Sequence, residues 1–211
     1  MPARLRPTAP IAADAILVGD PGRALMLAQV LLQEPKMSNH ARGLWGYSGL
    51  TPEGRELTIQ STGMGGPSAS VVLADLAELG VRRAIRIGTC ASLGDLELGE
   101  LLVVSEARTP AGGAMRPDRE LTERLGEALP EARLGVAVSL DNLHDPERGQ
   151  PSVLAEAADM QTAALLGSAE ELGVAVAATL IVAERSDAGL LRDDALEEAA
   201  KRAGTAAARL L

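Results

Sequence analysis

The stretch that decides the fold is Ala15-Ile16-Leu17-Val18-Gly19-Asp20-Pro21-Gly22-Arg23. Its first four residues are apolar and predict a buried strand, and the glycines and proline that follow predict a tight turn into a helix. Two other apolar runs lead in the same way into glycine-containing segments, Ser61-Thr62-Gly63-Met64-Gly65-Gly66-Pro67-Ser68 and Arg86-Ile87-Gly88-Thr89-Cys90. Each of these segments is therefore predicted to be a turn at the end of a strand.

The residue types in these turns favour binding of an oxyanion. Glycine lets backbone N–H groups approach an anion closely, and arginine adds a planar fork of donors that matches phosphate oxygens. Arg23 and Arg86 both lie in these segments. One glycine turn alone is more often tight packing, and one arginine alone is more often a surface ion pair. Several such turns at strand ends predict one anion site at the edge of an α/β sheet.

The rest of the chain alternates between predicted strands and helices, which implies an α/β fold with helices on both faces of a sheet. The predicted helices are Arg23–Gln33, Pro67–Leu79, Asp118–Leu129, Asp159–Leu172 and Leu191–Leu210. The predicted strands are Ala15–Val18, Leu57–Gln60, Ala84–Ile87, Leu101–Ser105, Arg133–Ser139 and Val174–Ala183, with a β-hairpin over Leu44–Thr58. An extended N-terminal arm and loops at Thr109–Pro117 and Asp141–Ser152 complete the prediction.

Composition limits the function classes. The chain has 211 residues, which fits a single domain over residues 1–211, and aromatic residues make up only 1%, so the core must be aliphatic. A net charge of −9 argues against binding to nucleic acid or to anionic membranes. Cys90 is the single cysteine and no Cys/His cluster has metal-ligand spacing, so we expect no metal. Without a signal peptide or membrane-spanning run, a cytoplasmic location is expected.

Taken together, these motifs resemble the nucleoside phosphorylase family that contains uridine phosphorylase and the hexameric bacterial purine nucleoside phosphorylases. The matching segments are Val18-Gly19-Asp20-Pro21-Gly22-Arg23, Asn39-His40-Ala41-Arg42-Gly43-Leu44-Trp45-Gly46-Tyr47-Ser48-Gly49, Gly63-Met64-Gly65-Gly66-Pro67-Ser68, Arg86-Ile87-Gly88-Thr89-Cys90 and Asp159-Met160-Gln161. The resemblance covers Ala15 to Leu211, and the sequence from Ser61 to Thr89 is most similar to the uridine branch. It implies a three-layer α/β/α sandwich with a mixed, partly barrel-like central sheet.

The resemblance also implies roles for individual residues. It makes Arg86 a catalytic residue, and it places Met64 and Met160 at the ribose. Phosphate-binding roles carry over to Gly19, Arg23, Arg42, Arg86 and Thr89. Arg42 would reach the site of a neighbouring subunit, so the implied assembly is a dimer with shared sites, or a hexamer. Because the related nucleosidases generally lack this arginine set, the resemblance favours phosphorolysis over hydrolysis.

Two sites depart from the family pattern. The usual Glu-Met-Glu at the ribose is Asp159-Met160-Gln161 here, and Gln161 can accept a hydrogen bond through its carbonyl but carries no charge. Leu143 stands where the family has an aromatic residue that stacks on the base. Glu184 is the closest match to the purine branch's catalytic aspartate, and Arg185 could instead represent the base-contacting arginine of the uridine branch.

The sequence therefore predicts an enzyme, a nucleoside phosphorylase (a pentosyltransferase), that takes inorganic phosphate as co-substrate and needs no other cofactor. Nucleoside and phosphate are the expected partners, with a slight preference for the uridine type. A purine-specific enzyme, a nucleosidase that uses water, and a non-catalytic nucleoside- or phosphate-binding protein remain as alternatives. Gln161 and the missing aromatic residue favour the last of these.

Overall fold

A computed structural model of the chain describes residues 4–143 and 154–211. Within these residues the helices are α1 (Pro21–Leu31), α2 (Gly66–Glu78), α3 (Arg119–Ala128), α4 (Thr162–Leu172) and α5 (Asp193–Leu210). The strands are β1 (Asp14–Val18), β2 (Gln33–Asn39), β3 (Gly46–Leu50), β4 (Glu56–Ser61), β5 (Arg83–Ser92), β6 (Leu101–Arg108), β7 (Ala114–Met115), β8 (Arg133–Ser139), β9 (Ala157–Asp159), β10 (Ala175–Arg185) and β11 (Gly189–Leu190). A short 3₁₀ turn covers Ala41–Gly43.

The strands form one mixed sheet that is partly closed into a barrel. β5 pairs in parallel with β1 and β10, while β10 pairs with β6, β6 with β8, β8 with β9, and β9 returns to β5. This ring of strands closes on itself, and β1, β4, β3 and β2 continue from β5 as an open extension. The α/β fold with a mixed, partly barrel-like sheet is therefore confirmed.

Helices cover both faces of the sheet, as the alternating pattern predicted. α1, α3 and α5 pack on one face through residues such as Leu27, Leu125 and Ala203. α2 and α4 pack on the other face through Val72 and Leu165. The fully buried large side chains are leucines and isoleucines, in keeping with the scarcity of aromatic residues.

Several elements differ from the sequence prediction. The short strands β7 and β11 were not predicted, and β7 lies within the predicted loop Thr109–Pro117. The segment around Gly88 is not a turn, because β5 continues to Ser92 alongside β10 after β1 has ended at Val18. Asp159 ends strand β9, and the helix predicted to begin there begins at Thr162. β2 was missed because Glu34, Pro35 and Lys36 are poor strand formers, which an edge strand tolerates.

The N-terminal arm is extended and docked on the sheet and helices. Leu5 is buried, and the backbone N–H groups of Arg4 and Leu5 donate to the Asp75 carboxylate in α2. Across the described ranges 4–143 and 154–211, no helix is long and apolar enough to cross a membrane.

Candidate functional site

A cavity of about 430 Å³ opens where β1 and β4 end, beside β5 and the start of α4. Because β1, β4 and β5 run parallel, the segments that follow them meet at one edge of the sheet. The lining residues are Gly19, Asp20, Pro21, Arg23, Gly63, Met64, Gly65, Arg86, Gly88, Thr89, Leu143, Met160 and Gln161. The cavity thus contains residues from all the glycine segments that the sequence singled out.

The first glycine segment is the turn from β1 into α1. Asp20 is the N-cap of α1, and its carboxylate accepts a hydrogen bond from the Arg23 backbone N–H at 2.7 Å. Pro21 occupies the first position of the helix, where its missing N–H is not needed. This local chemistry starts α1 at the cavity and places Arg23 in its first turn.

Arg23 is a half-buried cation at the wall of the cavity. Within the part of the chain that the structure describes, its guanidinium has no hydrogen-bond partner, although its backbone N–H is bonded to Asp20. Burial lowers the pKa of Arg23 from its usual value; the negative charge of Asp20 opposes this shift and the positive charge of Arg86 adds to it. An arginine stays charged even so, and its donors are available to a ligand.

Arg86, in contrast, is buried and held by protein groups on α4 and β9. Its Nε donates to Thr162 Oγ1 at 3.1 Å, Nη1 to Gln161 Oε1 at 2.6 Å, and Nη2 to Asp159 Oδ2 at 2.9 Å. A guanidinium has five N–H donors, so these bonds leave part of the fork free for a ligand in the cavity. The side chain is fixed in position before any ligand binds.

Gly88 leaves the space in which the Arg86 guanidinium lies. A Cβ atom at Gly88 would sit 2.6 Å from Arg86 Nη2 and 2.7 Å from Leu180 Cδ2. Glycine is therefore required here by a close side-chain approach in a strand, not by a turn.

We expect Gly88→Ala to displace Arg86, to weaken anion binding and to destabilise the protein by about 1–3 kcal/mol, the usual cost of overpacking. Urea unfolding and calorimetric titration with phosphate measure the two effects. Gly126→Ala in α3, where an added Cβ meets nothing within 4 Å, is the matched control. Unchanged phosphate binding in Gly88→Ala would contradict the steric role.

The second glycine segment is a turn between β4 and α2 that is tied to Gln161. Gly63 and Gly65 have φ values of 72° and 81°, in the left-handed region that glycine tolerates. Gln161 Nε2 donates to the carbonyl oxygens of Gly63 at 2.7 Å and Gly65 at 3.3 Å. Its Oε1 accepts from Thr62 Oγ1 at 3.1 Å as well as from Arg86. Gln161 thus joins the turn to Arg86.

The structure brings together most of the residues predicted for the site. Those that line the cavity are Gly19, Arg23, Met64, Arg86, Thr89, Leu143, Met160 and Gln161. Met64 is 81% exposed at the tip of its turn, whereas Gln161 is buried. The predicted loop after Asp141 is described only up to Leu143, and its remainder lies outside the described residues.

Arg42, Glu184 and Arg185 are not among the residues that line the cavity. Arg42 is exposed in the 3₁₀ turn with a φ of 60°, a left-handed conformation unusual for arginine. Glu184 lies near the end of β10, between β5 and β11. Arg185 forms ion pairs with Asp187, at 2.8 Å, and with Glu97, and these bonds raise its pKa. Their predicted roles stay predictions.

Sequence reasoning missed the groups that hold the site residues in place. Asp159 forms the buried ion pair with Arg86, and it also accepts hydrogen bonds from Ser139 Oγ at 2.5 Å and Thr162 Oγ1 at 2.6 Å. A carboxylate directly before a helix is a recognisable cap signal, but the pairing with Arg86 depends on the fold. Among the described residues no group of three or more His, Cys, Asp or Glu side chains could hold a metal ion.

Fold and site together define an α/β protein with two arginines at a cavity on the edge of a partly closed sheet. The model of the phosphorylase superfamily matches residues 14–211. The chain therefore belongs to the phosphorylase superfamily.

Individual relatives agree with this assignment. The DeoD-type purine nucleoside phosphorylase of Oceanobacillus iheyensis is 39% identical over 101 residues, which cover 47% of this chain and 43% of the relative. The chain thus matches less than half the length of that relative. The DeoD-type enzyme of Alkaliphilus metalliredigens is 29% identical over 194 residues, covering 82% of this chain and 83% of the relative.

Solved structures show the same fold. A uridine phosphorylase from Vibrio fischeri has a TM-score of 0.85 at 23% identity and covers 95% of this chain and 91% of its own. A purine nucleoside phosphorylase from Toxoplasma gondii, in complex with immucillin-H, has a TM-score of 0.84 at 21% identity, with 94% and 90% covered.

Proposed function

We propose that this protein is a nucleoside phosphorylase, which cleaves the N-glycosidic bond of a nucleoside with inorganic phosphate to give a free base and a pentose 1-phosphate. One observation supports this above the others. Arg23 brings a half-buried guanidinium to the same cavity as Arg86, and within residues 4–143 and 154–211 no protein group accepts a hydrogen bond from it. A charge held in this way is costly unless an anion binds to it.

In the proposed reaction, phosphate binds between Arg23 and Arg86, next to Gly19 and Thr89. A phosphate oxygen attacks C1′ of the pentose while the C1′–N bond breaks and its electron pair leaves with the base. The sugar becomes oxocarbenium-like, as in glycoside cleavage, and the bound phosphate stabilises that positive charge. Fixed guanidinium groups also turn a chance encounter of two reactants into a positioned one. No metal or organic cofactor takes part in this scheme.

The pentose would lie against Met64 and Met160, and the base near Leu143. Leucine offers no aromatic face, so stacking worth about 0.5–1.5 kcal/mol beyond burial is replaced by plain apolar contact. Glu184 and Arg185 remain candidates for contact with the base edge. The resemblance over Ser61 to Thr89 favours a pyrimidine, whereas the curated relatives named above are purine enzymes. Both bases therefore belong in the test.

The test is release of base from uridine, inosine, adenosine, thymidine and methylthioadenosine, each with and without inorganic phosphate. Phosphate-dependent release and formation of pentose 1-phosphate from at least one nucleoside are expected. Release at the same rate without phosphate would instead identify a nucleosidase. Binding without turnover across the whole panel would identify a nucleoside-binding protein.

We further propose that Arg42 completes the phosphate site of a neighbouring subunit in a dimer or larger oligomer. Arg42→Ala is then expected to raise the KM for phosphate about tenfold, as for loss of one charged hydrogen bond, without lowering stability. Stability should hold because the side chain is exposed and alanine keeps the same left-handed strain. Steady-state kinetics and thermal unfolding check this. A variant with normal phosphate KM would contradict the shared site.

A further inference from the structure

Both ends of the Gln161 amide are directed at protein groups. A glutamine side chain accepts two hydrogen bonds through its oxygen and donates two through its nitrogen. Here Nε2 donates to the carbonyls of Gly63 and Gly65, which uses both of its donors. Oε1 accepts from Arg86 Nη1 and lies 3.1 Å from Thr62 Oγ1, whose single proton is shared between Gln161 and the Val18 carbonyl at 3.0 Å. The residue is also 3% exposed, so a ribose hydroxyl would have to displace these protein contacts.

The surroundings determine which end of the amide faces which partner. The guanidinium of Arg86 can only donate, so the group facing it must be the oxygen. The carbonyls of Gly63 and Gly65 can only accept, so the group facing them must be the nitrogen. No other side chain of this shape offers an acceptor at one end and two donors at the other. A carboxylate would place its second oxygen against two carbonyl oxygens.

The charge of the site depends on the same residue. Arg86 already has one buried anionic partner in Asp159, with Nη2–Oδ2 at 2.9 Å. Gln161 holds Nη1 through a neutral oxygen, so it orients the guanidinium without cancelling more of its charge.

We propose that Gln161 is a positioning residue for the anion site, which fixes Arg86 and the Gly63–Gly65 turn together and does not contact the sugar. This inference rests on the proposed function for the identity of the anion, phosphate. It predicts that the enzyme discriminates weakly between ribonucleosides and 2′-deoxyribonucleosides, because the side chain expected from the resemblance to accept a ribose hydroxyl is engaged elsewhere.

The test compares Gln161→Glu and Gln161→Met with the unchanged protein by calorimetric titration with inorganic phosphate and with sulfate, at about pH 8 and about pH 6. Gln161→Glu is expected to weaken anion binding about 10- to 100-fold at the higher pH, the range for losing a charge-assisted hydrogen bond. Burial and the two glycine carbonyls favour the protonated form of a carboxyl at this position and raise its pKa, so the loss should shrink at the lower pH, where the added proton is donated to a carbonyl. Sulfate does not change its charge in this pH range. A pH dependence of sulfate binding therefore comes from the side chain at position 161 and not from the anion.

Gln161→Met removes the hydrogen bonds without adding charge, so its loss of affinity should not depend on pH. If circular dichroism shows that Gln161→Glu does not fold, the anion affinity of Gln161→Met still tests the role of the Gln161 hydrogen bonds. In turnover, the KM for phosphate should rise in both variants while the KM for the nucleoside changes less than threefold or so.

Two results would overturn the inference. The first is unchanged anion affinity in both variants. The second is a Gln161→Glu protein that binds anion normally and gains selectivity for uridine over 2′-deoxyuridine, or for inosine over 2′-deoxyinosine, which would make Gln161 a sugar contact. Failure of the proposed function looks different, because the unchanged protein would then bind the anion but release no base in a phosphate-dependent way.

Discussion

Replacing Arg23 with methionine is expected to lower the kcat/KM of phosphate-dependent turnover by at least two decades or so, while leaving the folded protein at least as stable as before. The guanidinium is half-buried, and within the described residues no protein group accepts a hydrogen bond from it. It therefore contributes desolvation cost to the folded state without a compensating bond. Methionine fills similar space, is a good helix former and removes the charge.

The size of the functional effect follows from the bonds that a phosphate would lose. A hydrogen bond to a charged group contributes about 1.5–3 kcal/mol, so losing two amounts to about 3–6 kcal/mol, or roughly two to four decades in kcat/KM. The free energy of unfolding should stay the same or rise by about 1 kcal/mol, as is common when a functional residue is replaced. Steady-state kinetics over a range of phosphate concentrations and urea unfolding measure the two quantities.

Arg119→Met is the matched control for this substitution. Arg119 also lies in the first turn of a helix, α3, but its side chain is 90% exposed, and its Nε lies 3.8 Å from the Glu123 carboxylate. Turnover and phosphate KM should not change in this variant. A large loss of stability in Arg23→Met, or a normal phosphate KM, would show that Arg23 has a structural role and does not bind the anion.

The sequence was sufficient for the fold because the signals that decide it are local. The apolar run from Ala15 to Val18, followed by Asp20 and Pro21, predicts a buried strand and a capped helix from chemistry within a few residues. The same alternation along the chain predicted helices on both faces of the sheet. The short strands β9 and β11 carry no such signal, because each has only two or three residues. β9 pairs with the distant strands β5 and β8, and β11 pairs with β10 in a short hairpin.

The sequence was enough to predict which residues belong to the site, but not which hydrogen bonds and contacts join them. Arg86 and Gly88 stand out beside an apolar run, yet the reason for Gly88 appears only when the Arg86 guanidinium is seen against it. Gln161 appeared in the sequence as a weakened sugar ligand. In the structure it is bonded to groups 75 and 98 residues away, Arg86 and Gly63. Side-chain contacts between distant segments depend on the whole fold, which no local pattern encodes.

Among the substitutions predicted above and below, Asp159→Asn is expected to cause the largest decrease in the free energy of unfolding. Asp159 accepts hydrogen bonds from Arg86 Nη2, Thr162 Oγ1, the Thr162 backbone N–H and Ser139 Oγ. The guanidinium and the Thr162 backbone N–H can only donate, and this N–H lies within 3.2 Å of both carboxylate oxygens, so an amide NH₂ in place of either oxygen would face another donor. The substitution would also leave the buried Arg86 without its counter-ion. Removing one partner of a buried ion pair typically costs about 3–5 kcal/mol, which sets the expected decrease in the free energy of unfolding.

Urea unfolding measures this decrease directly when Asp159→Asn is compared with a matched control and with a double variant. Asp95→Asn breaks an exposed ion pair with Arg133, with Nη1–Oδ1 at 2.6 Å, and should leave the free energy of unfolding within experimental error. Adding Arg86→Met to Asp159→Asn should recover part of the stability, because the unpaired charge is then gone. Phosphate binding should be lost in the double variant regardless. If Asp159→Asn is no less stable than Asp95→Asn, the ion pair does not hold Arg86 in the folded state, and the fixed geometry of the anion site must have another origin.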